Sequence, residues 1–179
     1  AVEDKPLAPK KPHFAPKAKR VIFLFMTGGV SHVDTFDPKP FLNKNHDKPK
    51  TKGRRYYKGS GWDFKKYGQC GTEFSDLFPH IGGMADDICM IRSMQNINGD
   101  HFGATIGLHT GSDTFKRPSI GSWVSYGLGT YNANLPSFMV ISPGLPYAGG
   151  QVWGSDFLPV LHQGTRIIPG AEPIANMHR

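Results

Sequence analysis

Cysteine is nearly absent from this chain, Cys70 and Cys89 being the only two. Their spacing matches no metal-ligand pattern, and two residues cannot staple a disulfide framework. They either pair in an oxidising compartment or stand as half-buried free thiols. Long apolar runs are missing as well. The longest, Val21–Thr27, covers seven residues, whereas a membrane-spanning helix needs about 18. Neither a transmembrane helix nor a signal peptide is therefore expected in these 179 residues. The chain begins at Ala1 rather than Met, which fits a processed N-terminus. Apolar residues are also scarce, at 38% against the usual ~45–50%, while 22 Gly and 15 Pro are many. The length still allows one domain with a real core, and the texture points to long loops or to a piece of something larger.

Acidic residues are few, 14 against 21 basic, for a net charge of +7. The excess is concentrated. Residues 1–20 carry six basic and two acidic side chains, and residues 38–67 carry ten basic against Asp47 and Asp63. The remainder is net acidic. Basicity thus lies in a tail and one loop instead of a stripe along a folded face, which argues against a nucleic-acid partner. The segment KTKGRRYYKGSGW (residues 50–62) does mix Arg54 and Arg55 with Tyr56, Tyr57 and Trp62. It reads as a solvated loop crossing an acidic neighbour or partner.

Four prolines in residues 1–19 favour an extended arm that buries no face of its own, lying on the surface or on a partner. Val21–Thr27, with β-branched and aromatic content and a Gly28-Gly29 stop, predicts a strand buried on both faces. Residues 38–71 predict a polar, basic insertion without periodicity. Pro79 suits the first turn of a helix reaching about Ala85, with Ile81 and Met84 inward. ICMIRSM (residues 88–94) predicts a second buried strand, closing a parallel βαβ unit with a right-handed crossover. Residues 102–111 predict a helix ending near Gly111, with Thr105, Leu108 and Ser112 on one face. A further helix starts at Pro118-Ser119, places Ile120, Trp123 and Val124 on one side and ends at Gly127 and Gly129. Pro136–Ile141 predicts the third strand, and nothing convincing follows Pro143. Three buried strands with few helices make an unfinished parallel sheet. The expected architecture is an α/β domain over residues 20–179, incomplete in this chain.

The first strand ends in a polar loop carrying Ser31, His32, Asp34 and Asp37. Ligands bind beyond the carboxyl ends of strands in open α/β sheets. This loop is accordingly either a functional site or a tight turn with two capping aspartates.

Four stretches, KRVIFLFMTGGVSHVDTFDPKP, YGQCGTEFSDLFPHIGGMADDICMIRSM, HTGSDTFKRPSIGSWVSYGLG and SDFLPVLHQGT, stand in this order. Together they resemble an exported bacterial family, domain of unknown function 1501, common in planctomycetes, a sulfatase-like branch of the alkaline phosphatase superfamily. The resemblance runs from about Pro12 to the end. It implies a Tat-type export signal already removed ahead of Ala1, a periplasmic or cell-envelope location, and a longer protein of which this is the N-terminal portion. It further implies two divalent metals (Zn, Ca or Mg) beside a nucleophile, able to clamp an in-line displacement at phosphorus or sulfur. Asp34, with His32, is the metal candidate. Sulfatases carry two aspartates at the strand end, where this chain has Thr27-Gly28-Gly29.

Ten positions before the Gly111 of His109-Thr110-Gly111, where the nucleophile would stand, is His101. It could carry a phosphohistidine-like intermediate, bind metal or act as acid/base, or be an ordinary loop histidine. Ser119 and Ser122 read as helix N-caps, His109 as a satisfied core histidine, and Arg92 as half of an ion pair. His162 is assigned no role. Two functions follow as expectations. One is a metal-dependent phosphate- or sulfate-ester hydrolase completed by further polypeptide or another subunit, with anionic polysaccharide as a candidate substrate and this chain inactive alone. The other is a non-catalytic structural or binding subunit of an envelope complex.

Overall fold

The computed structural model describes residues 5–50, 53–132, 134–170 and 173–174, and the chain divides into two compact units. Residues 26–95 form one; residues up to 25 together with those from 96 onward form the other.

The 26–95 unit is built around one aromatic side chain. Phe74 lies in β2 (Thr72–Ser75), which pairs antiparallel with β1 (Phe64–Tyr67) in the register Phe64↔Ser75 to Tyr67↔Thr72. Phe74 is fully buried, and its ring meets Phe36 and Tyr67 edge-on while Phe36 stacks on Phe78. Aromatic edges and faces carry opposite partial charge, so such pairs add to simple area burial. The turn between the strands bends through Gly68 and Gly71, both at positive φ. Its amides are held from outside: the Asp86 carboxylate accepts from the N–H of Gln69 and of Cys70 at 2.9 and 2.8 Å. A Cβ on Gly68 would meet that carboxylate at 2.5 Å, so a side chain there would push Asp86 away. Two short helices precede the hairpin, α1 (His32–Thr35) and α2 (Pro40–Lys44), and α3 (Pro79–Gly82) follows it. Pro opens both α2 and α3, where its absent N–H has no intrahelical partner to lose.

In the other unit, α4 (His101–Thr110) is closed at both ends by its own sequence. Asp100 accepts the N–H groups of Phe102 and Gly103, and Gly111 takes the left-handed conformation at the C-terminus. Ser119 caps α5 (Ile120–Leu128) through the N–H of Ser122. The core gathers Ala148, Val152 and Trp153, with Ile106, Phe138 and Val140 packed on it. β3 (Met139–Ile141) and β4 (Thr165–Ile167) pair in parallel beside it. The proline-rich arm crosses the end of α5: Thr130 N–H donates to Leu7 O, and Lys10 N–H to Leu128 O. Gly129, at φ 69°, leaves room for the Ala8 carbonyl that a Cβ would strike.

The expected parallel sheet differs from what forms. The overall class is mixed α/β, with two small two-stranded sheets. Val21–Thr27 has no strand structure, and Val21, Ile22 and Leu24 are largely exposed. Phe23 and Phe25 nevertheless stack on one side with rings 5° apart, as residues two apart do in an extended chain. ICMIRSM likewise forms no strand, and Ile91 and Met94 are exposed. A parallel strand is stabilised by neighbours on both edges and layers on both faces, and neither run has them among the described residues. No βαβ unit closes here; the connection from 26 to 95 holds an antiparallel hairpin.

The basic insertion is partly structured, with α2 and β1 inside it. The helix at Pro79 stops at Gly82 and passes into a 3-10 turn at Ala85–Asp87, which buries Gly82 and Ala85 and leaves Met84 exposed. In α4, Thr105 is buried but Leu108 is exposed. α5 turns its small side inward: Ser122 and Ser125 are buried, while Ile120 and Trp123 remain half-exposed. The sequence after Pro143, expected to hold no buried element, supplies most of that unit's core.

Candidate functional site

Within the 26–95 unit, a cleft of about 470 Å³ is lined by His32, Asp37, Lys39 and Arg92, with Phe36, Met90, Ile91 and Met94 as its apolar wall. α1 delivers His32, and the turn after it delivers Asp37 and Lys39. Phe36 N–H and Asp37 N–H both bond to the His32 carbonyl, at 3.0 and 2.8 Å, which fixes that turn. Arg92 comes from the chain after the 3-10 turn. Its Nε donates to Phe36 O at 2.9 Å and its Nη2 to Glu73 O at 3.2 Å. These bonds aim the guanidinium without neutralising it, since both acceptors are carbonyls. The expected ion pair of Arg92 is therefore replaced by carbonyl contacts.

Asp37 pairs with Lys39 at 2.6 Å. That hydrogen bond holds its carboxyl below the usual range against the opposing effect of burial, with the charges of Lys39, Arg92 and His32 adding to it. The cleft thus offers one ionised carboxylate among a lysine, an arginine and a histidine. The balance favours an anionic ligand.

Asp34 stands one turn away from this group. It accepts from Ser31 Oγ at 2.6 Å, and that bond is the main reason its carboxyl stays low, followed by the Ser60 hydroxyl, with Lys58 and His32 contributing charge. Ser31 therefore spends its hydroxyl on Asp34 and makes no side-chain cap to α1. His32 and Asp34 are two positions apart on a helical turn, and residues so spaced project to different sides. His32 nevertheless acts on the Asp34 carboxyl through its charge. Among the described residues no group of three or more His, Cys, Asp or Glu converges as a metal site.

His101 belongs to the other unit, where it is the first residue of α4 and exposed. Its ring lies flat on Tyr147, centroids 4.5 Å apart and planes 12° apart. His109 is half-buried, its Nδ1 2.8 Å from Thr105 O and its ring meeting the faces of Phe23 and Phe25. Burial pushes its pKa down, with the Thr105 carbonyl opposing. Ser119 is the cap of α5, and its hydroxyl also lies 2.9 Å from that of Ser122, which donates to Gly154 O. Both cysteines are free and exposed.

Two features are not placed in a site by the sequence, which reads Arg92 as half of an ion pair and gives His162 no role. Lys39 and Arg92 complete the cleft, and the signal was a lone cation inside the apolar run ICMIRSM. The second feature is a buried polar chain: Ser137 Oγ, Ser125 Oγ and His162 Nδ1 follow one another at 2.6 and 2.8 Å. His162 is 1% exposed, and burial, then the charge of Lys10, lowers its pKa. Lys10 Nζ donates to Tyr126 O at 2.6 Å and sits 4.8 Å from the Tyr126 ring centroid. A histidine four residues after the buried Leu158 was the available hint.

A small mixed α/β chain with an open, cation-rich cleft is the class these observations define. Compared with known families, residues 18–179 match the model described as "Protein of unknown function (DUF1501)", and the chain belongs to that family. No curated protein and no solved structure matches it. Among the described residues no helix is long and apolar enough to cross a membrane.

Proposed function

We propose that this chain is the anion-binding portion of an exported phosphate- or sulfate-ester hydrolase with an alkaline phosphatase- or sulfatase-like fold. The observation that carries the reading is the cleft shared by His32, Asp37, Lys39 and Arg92. A planar guanidinium held by two carbonyls, with a lysine nearby, suits the oxygens of a tetrahedral ester. The exposed runs at 21–26 and 88–94 support a sheet that gains partners from further polypeptide or another subunit. A divalent metal, Zn, Ca or Mg, would be held by the low-lying carboxylate of Asp34 with His32 beside it, and would need further ligands from elsewhere, since no group of three converges among the described residues. When bound in such enzymes a metal acidifies the nucleophile and steadies the oxygens.

The test is titration of the chain with inorganic sulfate and phosphate, followed by calorimetry. Binding that weakens at least about tenfold in Arg92→Ala supports the reading. No binding, or equal binding by the variant, overturns it. A second reading, a non-catalytic binding or structural subunit of an envelope complex, is favoured by the flat stacking of His101 on Tyr147, which commits the ring to packing. Turnover of p-nitrophenyl phosphate or sulfate that is lost in His101→Ala would rule that second reading out.

A further inference from the structure

The densest charge in the molecule lies on the two sides of an arch whose crown, residues 51–52, is outside the described residues. Two legs, 47–50 and 53–57, run side by side: Lys50 N–H donates to Arg55 O at 2.9 Å, Tyr57 N–H to Lys48 O at 3.1 Å, and Pro49 bridges Tyr56. Asp47 turns the chain into the first leg at φ 58°, a conformation that Asp tolerates better than most residues. The foot is tied to α2 and the residues after it. Ser60 N–H donates to Asn43 Oδ1 and Gly59 N–H to His46 Nδ1, both at 2.9 Å. Phe41 meets Tyr57 edge-on, and Lys50 Nζ sits 5.0 Å from the same ring.

On this frame Lys44, Lys48, Arg54 and Arg55 are exposed with no ion pair to a carboxylate among the described residues, while the exposed Lys58 acts on Asp34. Like charges this close repel across the ~8 Å over which physiological salt leaves them unscreened. A tied arch that gathers them gains most when an anionic counterpart arrives. Interleaved with the cations are three exposed rings, Phe41, Tyr56 and Trp62, at 62%, 62% and 50% exposure.

We infer that this arch is a docking surface for an anionic lipid bilayer. Cations neutralise headgroup charge from the water side, while Trp, Tyr and Phe rings lodge at the headgroup level. The arch presents exposed cations and rings on both legs and at its foot. Single-stranded nucleic acid is instead held in a cationic groove that tracks its backbone. The inference is independent of the cleft, because it concerns binding to a surface and uses none of the cleft residues.

The experiment is co-sedimentation of the chain with vesicles of phosphatidylcholine alone and of equimolar phosphatidylcholine and phosphatidylglycerol. The chain is expected to bind only the anionic vesicles and to dissociate as salt is raised. Each cation near an anionic surface contributes about 1 kcal/mol, roughly a fivefold factor. Arg54→Ala with Arg55→Ala should therefore lower partitioning roughly 25-fold. Lys116→Ala with Arg117→Ala, in the other unit, should leave it within about twofold. A blue shift of tryptophan emission on binding should vanish in Trp62→Phe. Equal binding to both vesicles, an equal loss in the two double variants, or tighter retention on single-stranded DNA than on the anionic vesicles would overturn the inference. So would a blue shift that persists in Trp62→Phe.

Discussion

The two units of this chain hold themselves together by different means. Residues 26–95 cluster large rings, Phe36, Tyr67, Phe74 and Phe78, and tie their hairpin turn with one exposed carboxylate. The other unit buries a few apolar side chains and then a run of hydroxyls, Ser119, Ser122 and Ser125, ending at a histidine. A ring cluster gains from area, which is indifferent to pH. A buried polar chain gains only while every donor has its acceptor and the histidine stays neutral.

Removing the centre of the ring cluster should be the largest single blow. Phe74→Ala is expected to cost about 3–5 kcal/mol, and urea unfolding followed through Trp62 should show it. An undiminished transition would mean that the cluster does not hold the unit. Next comes the polar chain. Ser125→Ala leaves His162 Nδ1 and Ser137 Oγ without their shared partner, at about 1–3 kcal/mol. That loss should appear in a thermal melt monitored by near-ultraviolet dichroism of the buried Trp153. If Ser125→Ala melts like the parent, the chain of hydroxyls is not stabilising.

Acid should separate the units further. Burial depresses His162 and His109, so the unfolded chain takes up their protons first. Their stabilising contribution is complete above the ordinary histidine value of about 6.5 and falls as pH drops toward the lowered folded value. The carboxylates Asp34, Asp37 and Asp86 are also held low, but their contributions are complete above the ordinary aspartate value of about 3.9 and fade only below it. Between those limits the unit holding His109 and His162 should weaken while the ring-centred unit holds, and His162→Gln should shrink the difference. Parallel acid limbs read through Trp62 and Trp153 would break the comparison. The smallest effect is local. Asp86→Ala should speed amide hydrogen exchange at Gln69 and Cys70 and change little elsewhere.

Helices were the most legible part of the sequence because their ends are written locally. Gly111, Ser119 and Gly129 mark boundaries that the structure keeps, and Met139–Ile141 forms a strand within its expected run, but with Met139 and Ile141 exposed instead of buried. The sheet was not legible, for a physical reason. VIFLFM has the same β-propensity whether neighbours cover it or not, and burial depends on partners distant in sequence. The inward face of α5 was misjudged because Ile120 and Trp123 looked like core, whereas close packing against Phe138 and the Gly154 carbonyl admits only Gly and Ser. At the candidate site, Ser31, His32, Asp34 and Asp37 were visible as a polar cluster. Their sorting was not, because it depends on which carboxylate Ser31 engages and on Arg92 arriving from 56 residues beyond Phe36.

Val21 to Met26 offers six consecutive apolar residues without charge or proline, with Val21, Ile22 and Leu24 largely exposed while Phe23 and Phe25 meet the His109 ring. A stretch of that kind is a template for cross-β stacking between molecules. Lys19-Arg20 on one side and Gly28-Gly29 on the other act as gatekeepers that limit its growth. Replacing Leu24 with lysine should therefore lower self-association, read by light scattering, before it alters anything else.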